Sequence, residues 1–329
     1  MTTNISLLAQ TVLGSPALDT RASRKLNAWI ASLRPKTLPL AGCGILTGTA
    51  SALALGAPWQ PGIFFSALAT ALLLQILANL ANDLGDAEKS ADTPERIGPL
   101  RGMQLGLISP REMKKALILT IGITVASGLA LMAMACRTSG EALFFLLLGL
   151  SSIVAALTYT MGRSAYGYRG LGDASVFLFF GLAAVAGSFY LQTRFWDWRA
   201  LWPASACGLL SMAVLNINNL RDLEEDQKHG KATFAAKIAR AFGMKWAFGY
   251  HLALLFAALA CLAISALAFG GVWPWLFVLA LPLYAQNIRI IARLPEAQVI
   301  AGQLPVVVKL SMVSLVGLAA GLALNLATG

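Results

Sequence analysis

The chain has 329 residues, of which 57% are hydrophobic and only 12% charged, about half the charged share of an ordinary soluble domain. So few charges cannot cover a soluble globule, and so apolar a chain does not stay disordered, which leaves a polytopic membrane protein. The net charge of +10 does not mark a nucleic-acid binder, because the basic residues are scattered between apolar runs instead of gathered on one helix or tail.

Residues 1–25 lack a long apolar run closed by a small-residue cleavage site and read as a flexible cytoplasmic N-terminal tail. Residues 26–329 read as one transmembrane domain. A helix crosses the hydrocarbon with roughly 17–25 apolar residues. Nine such runs follow, at about 38–56, 61–83, 114–136, 141–160, 171–192, 200–220, 246–268, 271–292 and 304–327. The fold class is therefore all-α. The four cysteines all lie within apolar runs, far from any CxxC pattern, and read as small buried hydrophobes.

Nine spans put the termini on opposite sides and sort the basic residues sharply. Of the 25, 22 fall on the N-terminal side, and only Arg137, Arg194 and Arg199 on the other. The positive-inside rule makes the basic side cytoplasmic. On the opposite face Trp196, Trp198 and Trp202 read as an interfacial belt, as do Trp273 and Trp275.

Ten of the 15 acids sit in two short segments on the basic side, after the second and sixth runs. In the first, Asn79, Asn82, Asp83 and Asp86 fall at i, i+3, i+4 and i+7, one face of a helix. In the second, Asn218 (or Asn219), Asp222 and Asp226 step by four along one face. Solvated helix ends explain Glu88, Glu95, Glu224 and Glu225, but not two stacked Asn/Asp faces at matching ends of helices four apart. Amides and carboxylates at membrane depth are costly unless paired, hydrated or metal-bound.

A shift of four helices keeps direction across the bilayer. The chain thus reads as two parallel four-helix repeats, about 38–160 and 171–292, plus one added helix, around a central cavity. Oxygen donors without nearby His or Cys suit a hard cation such as Mg²⁺, which favours one or two carboxylates together with substrate phosphates. Lys89, Arg96, Arg101, Arg221, Lys228 and Lys231 surround the motifs, with Arg96 and Lys231 the favoured ligands. An apolar cavity with cations at its mouth suits an amphiphile with a diphosphate head and a hydrocarbon tail.

The paired motifs, Asn79-x-x-Asn82-Asp83-x-x-Asp86 and Asn218-Asn219-x-x-Asp222-x-x-x-Asp226, resemble those of the UbiA superfamily of intramembrane aromatic prenyltransferases. Four further strings are similar to the branch that prenylates 1,4-dihydroxy-2-naphthoate in menaquinone synthesis. They run over residues 32–39 (with Arg34 and Lys36), 92–99 (with Asp92 and Arg96), 166–173 (with Tyr168, Arg169 and Asp173) and 215–222 (with Asn219). One departure stands out: many members carry a third carboxylate four residues after the second, where this chain has Ser90, and its next acid is Asp92.

The resemblance implies that Asp83, Asp86, Asp222 and Asp226, with Asn79, Asn218 and Asp92, hold Mg²⁺ on the diphosphate of a polyprenyl donor. It implies further that Asn82, Asn219, Arg34, Lys36, Arg96 and Lys231 contact substrate, and that the naphthoate ring attacks at its carboxyl-bearing carbon with loss of CO₂. At the acceptor end the resemblance points to Arg169 for the carboxylate and to Tyr159, Tyr168 and Asp173, although Tyr159 and Tyr166 equally suit interfacial anchoring. It also implies a bacterial inner-membrane enzyme among membrane lipids. His251, inside an apolar run, reads as structural. Other acceptors (4-hydroxybenzoate, homogentisate or a tetrapyrrole), a secondary transporter and a noncatalytic lipid scaffold are the competing readings.

Overall fold

The computed structural model describes residues 21–89, 101–228 and 230–328. Within them all regular structure is helical, and nine helical segments are long and apolar enough to cross a bilayer. Helices and closed barrels alone satisfy every backbone polar group in hydrocarbon.

In chain order the elements begin with α1 (Arg21–Leu33), α2 (Leu38–Ala54), α3 (Pro61–Glu88), α4 (Pro110–Ala135) and α5 (Ser139–Thr158). A 3₁₀ turn, Tyr166–Arg169, leads into α6 (Gly172–Thr193), whose middle, Phe177–Ala186, is π-helical. Then come α7 (Leu201–Arg221), the short α8 (Leu223–Lys228) and α9 (Phe234–Phe242). The chain finishes with α10 (Met244–Phe269), α11 (Trp273–Ile291) and α12 (Ala297–Thr328). The spans are α2 to α7 and α10 to α12, with α1 running into the first.

Local chemistry explains the element ends. Ser109 and Glu112 close a capping box on α4, and Thr138 and Glu141 do the same on α5. Proline occupies the first turn of α2, α3, α4 and α11, where its missing N–H costs nothing. Gly270 and Gly271, both at positive φ, make the tight link between α10 and α11.

Two boundaries differ from the sequence reading. Helix α3 runs on to Glu88, so Asp83 and Asp86 both sit within it. Residues 21–25, expected in the N-terminal tail, are helical and belong to α1. Its Ala28 packs against Leu77, Leu80 and Leu84 of α3, and Lys25 pairs with Glu112.

Packing is uneven. The main core joins α2, α6, α7 and α9 to α12 around Leu210, Ile217, Leu255, Tyr284 and Leu310. Small residues let these backbones approach: a Cβ on Gly48 of α2 would lie 2.2 Å from the Val185 carbonyl oxygen of α6. His251, fully buried, bonds Asn287 at 3.0 Å, and Asn287 donates to Gln303 at 3.1 Å. That network ties α10, α11 and α12 together, in keeping with a structural histidine. By contrast α5 has no fully buried residue. All four cysteines are free.

Candidate active site

The two Asn/Asp motifs meet at one end of the bundle. On α3, Asp83 and Asp86 are 2% and 5% exposed, so each charge must find a partner inside the protein. Arg34, in the α1–α2 turn, donates to Asp83 Oδ1 at 2.8 Å. Arg101 Nη1 lies 3.2 Å from the same oxygen and 2.9 Å from Asp86 Oδ2. Asn79 fixes the turn by donating to the Leu33 carbonyl at 3.0 Å, and its own oxygen accepts from Gln75.

On the second motif Arg221 grips Asp222 through two hydrogen bonds of 2.6 Å. Asn218 donates to the Val214 carbonyl of its own helix, while Asn219 is buried. Asp226 rides on α8 and pairs with Lys231 at 3.3 Å. Burial pushes the Asp226 carboxyl up to about 6, with Lys231 opposing and the Asp222 and Asp86 charges reinforcing the shift.

Tyr168 joins the two motifs. Its hydroxyl donates to Asp86 Oδ1 at 3.0 Å, and its ring carries Lys89 at 4.0 Å and Lys231 at 5.5 Å. The Tyr168 carbonyl also accepts from the Ala232 amide at 3.0 Å, which holds the loop after α8 against the 3₁₀ turn. Gly85 seats the end of α3 on Thr160, two residues beyond the end of α5. A Cβ there would lie 2.8 Å from the Thr160 carbonyl carbon, and Thr160 donates to the Ala81 carbonyl at 3.1 Å.

The motifs border a cavity of about 720 Å³. Arg34, Lys36, Asn79, Asn82, Asp83, Arg101, Asn218 and Arg221 line its polar end, and the rest of its wall is mostly apolar, from α2 to α7. Tyr159 is on the wall, edge-on to Tyr166 at 5.4 Å. Other expected residues lie elsewhere. Arg169 turns outward and donates to Ser164 at 3.1 Å, because the 3₁₀ turn presents Tyr168 inward instead. Asp173 is buried beneath the Tyr250 hydroxyl at 2.9 Å, off the cavity wall. Asp92 and Arg96 lie outside the described residues.

Among the described residues no three His, Cys, Asp or Glu side chains are gathered to hold a metal; each aspartate leans on a basic group. The donor chemistry nevertheless fits a hard divalent cation, since the motifs supply oxygen alone. Asn82 Oδ1 and Asp226 Oδ2 are buried with no hydrogen-bond partner among the described residues, and such orphaned acceptors suit a cation. Arg101 stood in the sequence only as one of several loop cations, and nothing in its spacing singled it out.

The UbiA prenyltransferase family matches residues 44–301. The chain is 50% identical over 270 residues to a 1,4-dihydroxy-2-naphthoate octaprenyltransferase of Escherichia coli, covering 82% of this chain and 86% of that one. It is 43% identical over 295 residues to the Haemophilus influenzae protein of the same name, covering 89% and 94%. Among solved structures, the apo form of a UbiA homolog from Aeropyrum pernix superposes with a TM-score of 0.59 at 19% identity, over 88% of this chain and 98% of that one.

Proposed function

We propose that this chain, which belongs to the UbiA prenyltransferase family, transfers a polyprenyl group from its diphosphate to 1,4-dihydroxy-2-naphthoate. It is a multi-pass membrane enzyme. The observation that carries the reading is the meeting of two buried Asn/Asp motifs, linked through Tyr168, at the polar end of an apolar cavity.

Asp83, Asp86, Asp222 and Asp226, with Asn82 and Asn218, would hold Mg²⁺, and Asp92 is a further candidate. When bound, the ion neutralises charge developing on the departing diphosphate. Arg34, Lys36, Arg101 and Arg221 sit at the cavity's polar end, where they bind diphosphate oxygens, and Lys89 and Lys231 stand behind them. The apolar wall holds the hydrocarbon tail and keeps water from the allylic carbon as its C–O bond breaks. Tyr159 offers a ring face or hydroxyl to the naphthoate.

The carboxyl-bearing ring carbon attacks the allylic carbon, and the C–O electron pair leaves with diphosphate. The ring then recovers its electrons from the bond to the carboxylate, which departs as CO₂. No side-chain nucleophile is needed. Since Arg169 faces outward, the acceptor carboxylate falls to whichever of Arg34 and Lys36 the diphosphate leaves unengaged. The excess of basic residues at the motif end supports a site facing the cytoplasm, and the resemblance to bacterial enzymes supports a bacterial inner membrane as its location.

The test is to supply purified protein in lipid with labelled polyprenyl diphosphate, offering dihydroxynaphthoate and 4-hydroxybenzoate in parallel. The expected product is the prenylated naphthoate less CO₂, identified by mass. Chelation of divalent ions should remove activity and added Mg²⁺ restore it. Product on 4-hydroxybenzoate alone, or undiminished turnover in excess chelator, would overturn the acceptor or the metal assignment respectively.

Glu88, at the end of the same helix, serves as the control. It pairs with Lys114 at 2.9 Å, with both side chains about half exposed. Exposed pairs contribute about 0–1 kcal/mol, so Glu88→Gln is expected to keep kcat within about twofold in the same assay.

A further inference from the structure

Away from the aspartates, several hydroxyls of the cavity wall bond to their own helices. Thr70 donates to the Ser66 carbonyl, Thr124 to the Thr120 carbonyl and Ser188 to the Ala184 carbonyl. Gln75 of α3, on the same wall, is different. Its Oε1 is buried with no hydrogen-bond partner among the described residues.

A chain of three groups fixes the direction of that amide. The Leu33 carbonyl can only accept, so Asn79 turns its nitrogen to it, at 3.0 Å. The Asn79 oxygen then faces Gln75, whose nitrogen donates to it at 3.0 Å. What Gln75 has left over is an oxygen, which a donor alone can satisfy. A buried acceptor without a donor is costly. The Ser32 and Ser211 hydroxyls, also buried on the wall without partners among the described residues, carry no such demand. A hydroxyl rotates and can give or take a hydrogen bond.

Few parts of the proposed reactants can answer Gln75. Diphosphate and carboxylate oxygens accept, and the prenyl chain does neither. The donors are the two ring hydroxyls of the naphthoate. Its 1-hydroxyl lies ortho to the carboxylate and bonds to it within the molecule. Its 4-hydroxyl points away, and in an apolar cavity it needs an acceptor. Metal held by the aspartates does not reach Gln75, which stands eight residues before Asp83, about 12 Å along the helix. The spacing suits the ring instead. Asn79 pins the turn that carries Arg34 and Lys36 to α3, one helical turn, or about 6 Å, from Gln75. A naphthoate whose carboxylate meets that turn can extend its far hydroxyl along α3 to Gln75.

We infer that Gln75 accepts the 4-hydroxyl of the aromatic acceptor and makes the site selective for a ring with a donor there. This rests on the proposed prenyl transfer and adds a specificity-determining residue to it. The 4-hydroxyl is meta to the carbon that attacks, so the bond selects and orients the ring without activating it. Its loss is read in the acceptor KM and not in kcat.

The experiment compares 1,4-dihydroxy-2-naphthoate with 1-hydroxy-2-naphthoate, which lacks the 4-hydroxyl alone. Unsubstituted protein should prefer the dihydroxy compound by about tenfold or more in kcat/KM, since the analogue leaves a buried acceptor unpaired. Gln75→Met keeps the length of the side chain and removes the amide oxygen. It should cut that preference by about tenfold, with the dihydroxynaphthoate KM rising while kcat and the KM of polyprenyl diphosphate hold. Equal use of the two acceptors by unsubstituted protein overturns the inference, as does an undiminished preference in Gln75→Met. A fall in kcat with both KM values raised also overturns it, because Gln75 would then only hold Asn79 in place. If Gln75→Met does not fold, Gln75→Glu decides: it keeps an acceptor at the same reach, so the preference should persist, and its loss overturns the inference. Unsubstituted protein that prenylates neither naphthoate defeats the functional reading itself, a result distinct from those above.

Discussion

Asp83→Asn is expected to lower kcat by about 10²–10³, or roughly 2.7–4 kcal/mol of transition-state stabilisation. The substitution keeps size and hydrogen-bonding shape and removes only the charge. Asp83 is the most enclosed of the four aspartates proposed to serve the diphosphate, at 2% exposure on the cavity wall, so water does not replace what is lost. Two guanidiniums converge on it, and Arg101 keeps Asp86 as a partner when Asp83 is neutral. The bundle should therefore stay folded, checked by circular dichroism and by thermal unfolding in lipid. A variant that turns over normally would show that this carboxylate does not serve the diphosphate. A variant that loses helical structure would show that its work is to neutralise Arg34.

Gly85→Ala is expected to damage both fold and catalysis, although it adds one methyl group away from any substrate. The new Cβ would lie 2.5 Å from Thr160 Oγ1 and 2.8 Å from the Thr160 carbonyl carbon. The hydroxyl can rotate away, but the carbonyl carbon is backbone, so either the end of α3 or the chain after α5 must move. Overpacking of this kind costs about 1–3 kcal/mol. Asp83 and Asp86 flank Gly85 on the same turn, so any displacement carries both carboxylates with it. Misplacing reacting groups by about an ångström can cost about 10²-fold. The measurements are thermal stability and kcat in the same preparation, and both should fall. A fall in stability alone would mean that the motif tolerates the shift.

Periodicity and spacing made the membrane spans legible, because an apolar stretch long enough to cross hydrocarbon has few other uses. They also placed the Asn/Asp faces, since residues at steps of three and four share one side of a helix. What stayed hidden depends on the chain folding back over long separations. Tyr168 stood as one of several aromatic residues in a turn, and its bond to Asp86 joins positions 82 residues apart. Arg101 looked like any loop cation on the basic face until the turn after α3 set it between two aspartates. Arg169 turns away from the cavity because a 3₁₀ turn points neighbouring side chains in different directions, and sequence does not say which one faces in. Helix α1 was not legible because a short amphipathic helix carries its apolar face in small increments, below the threshold of a span. The π-helical stretch of α6 has no compositional mark at all.

The uneven packing has a consequence for how the protein should fail on heating. The main core runs through α6, α7 and α10 to α12, while α5 has no fully buried residue and α4 only four. Segments with few enclosed contacts open at lower free energy than the rest. Warming, or a detergent that competes with lipid for the outer face of α4 and α5, should therefore inactivate the enzyme while the C-terminal helices still hold together. Activity would then disappear before the far-ultraviolet signal does, and a single melting temperature would not describe the loss.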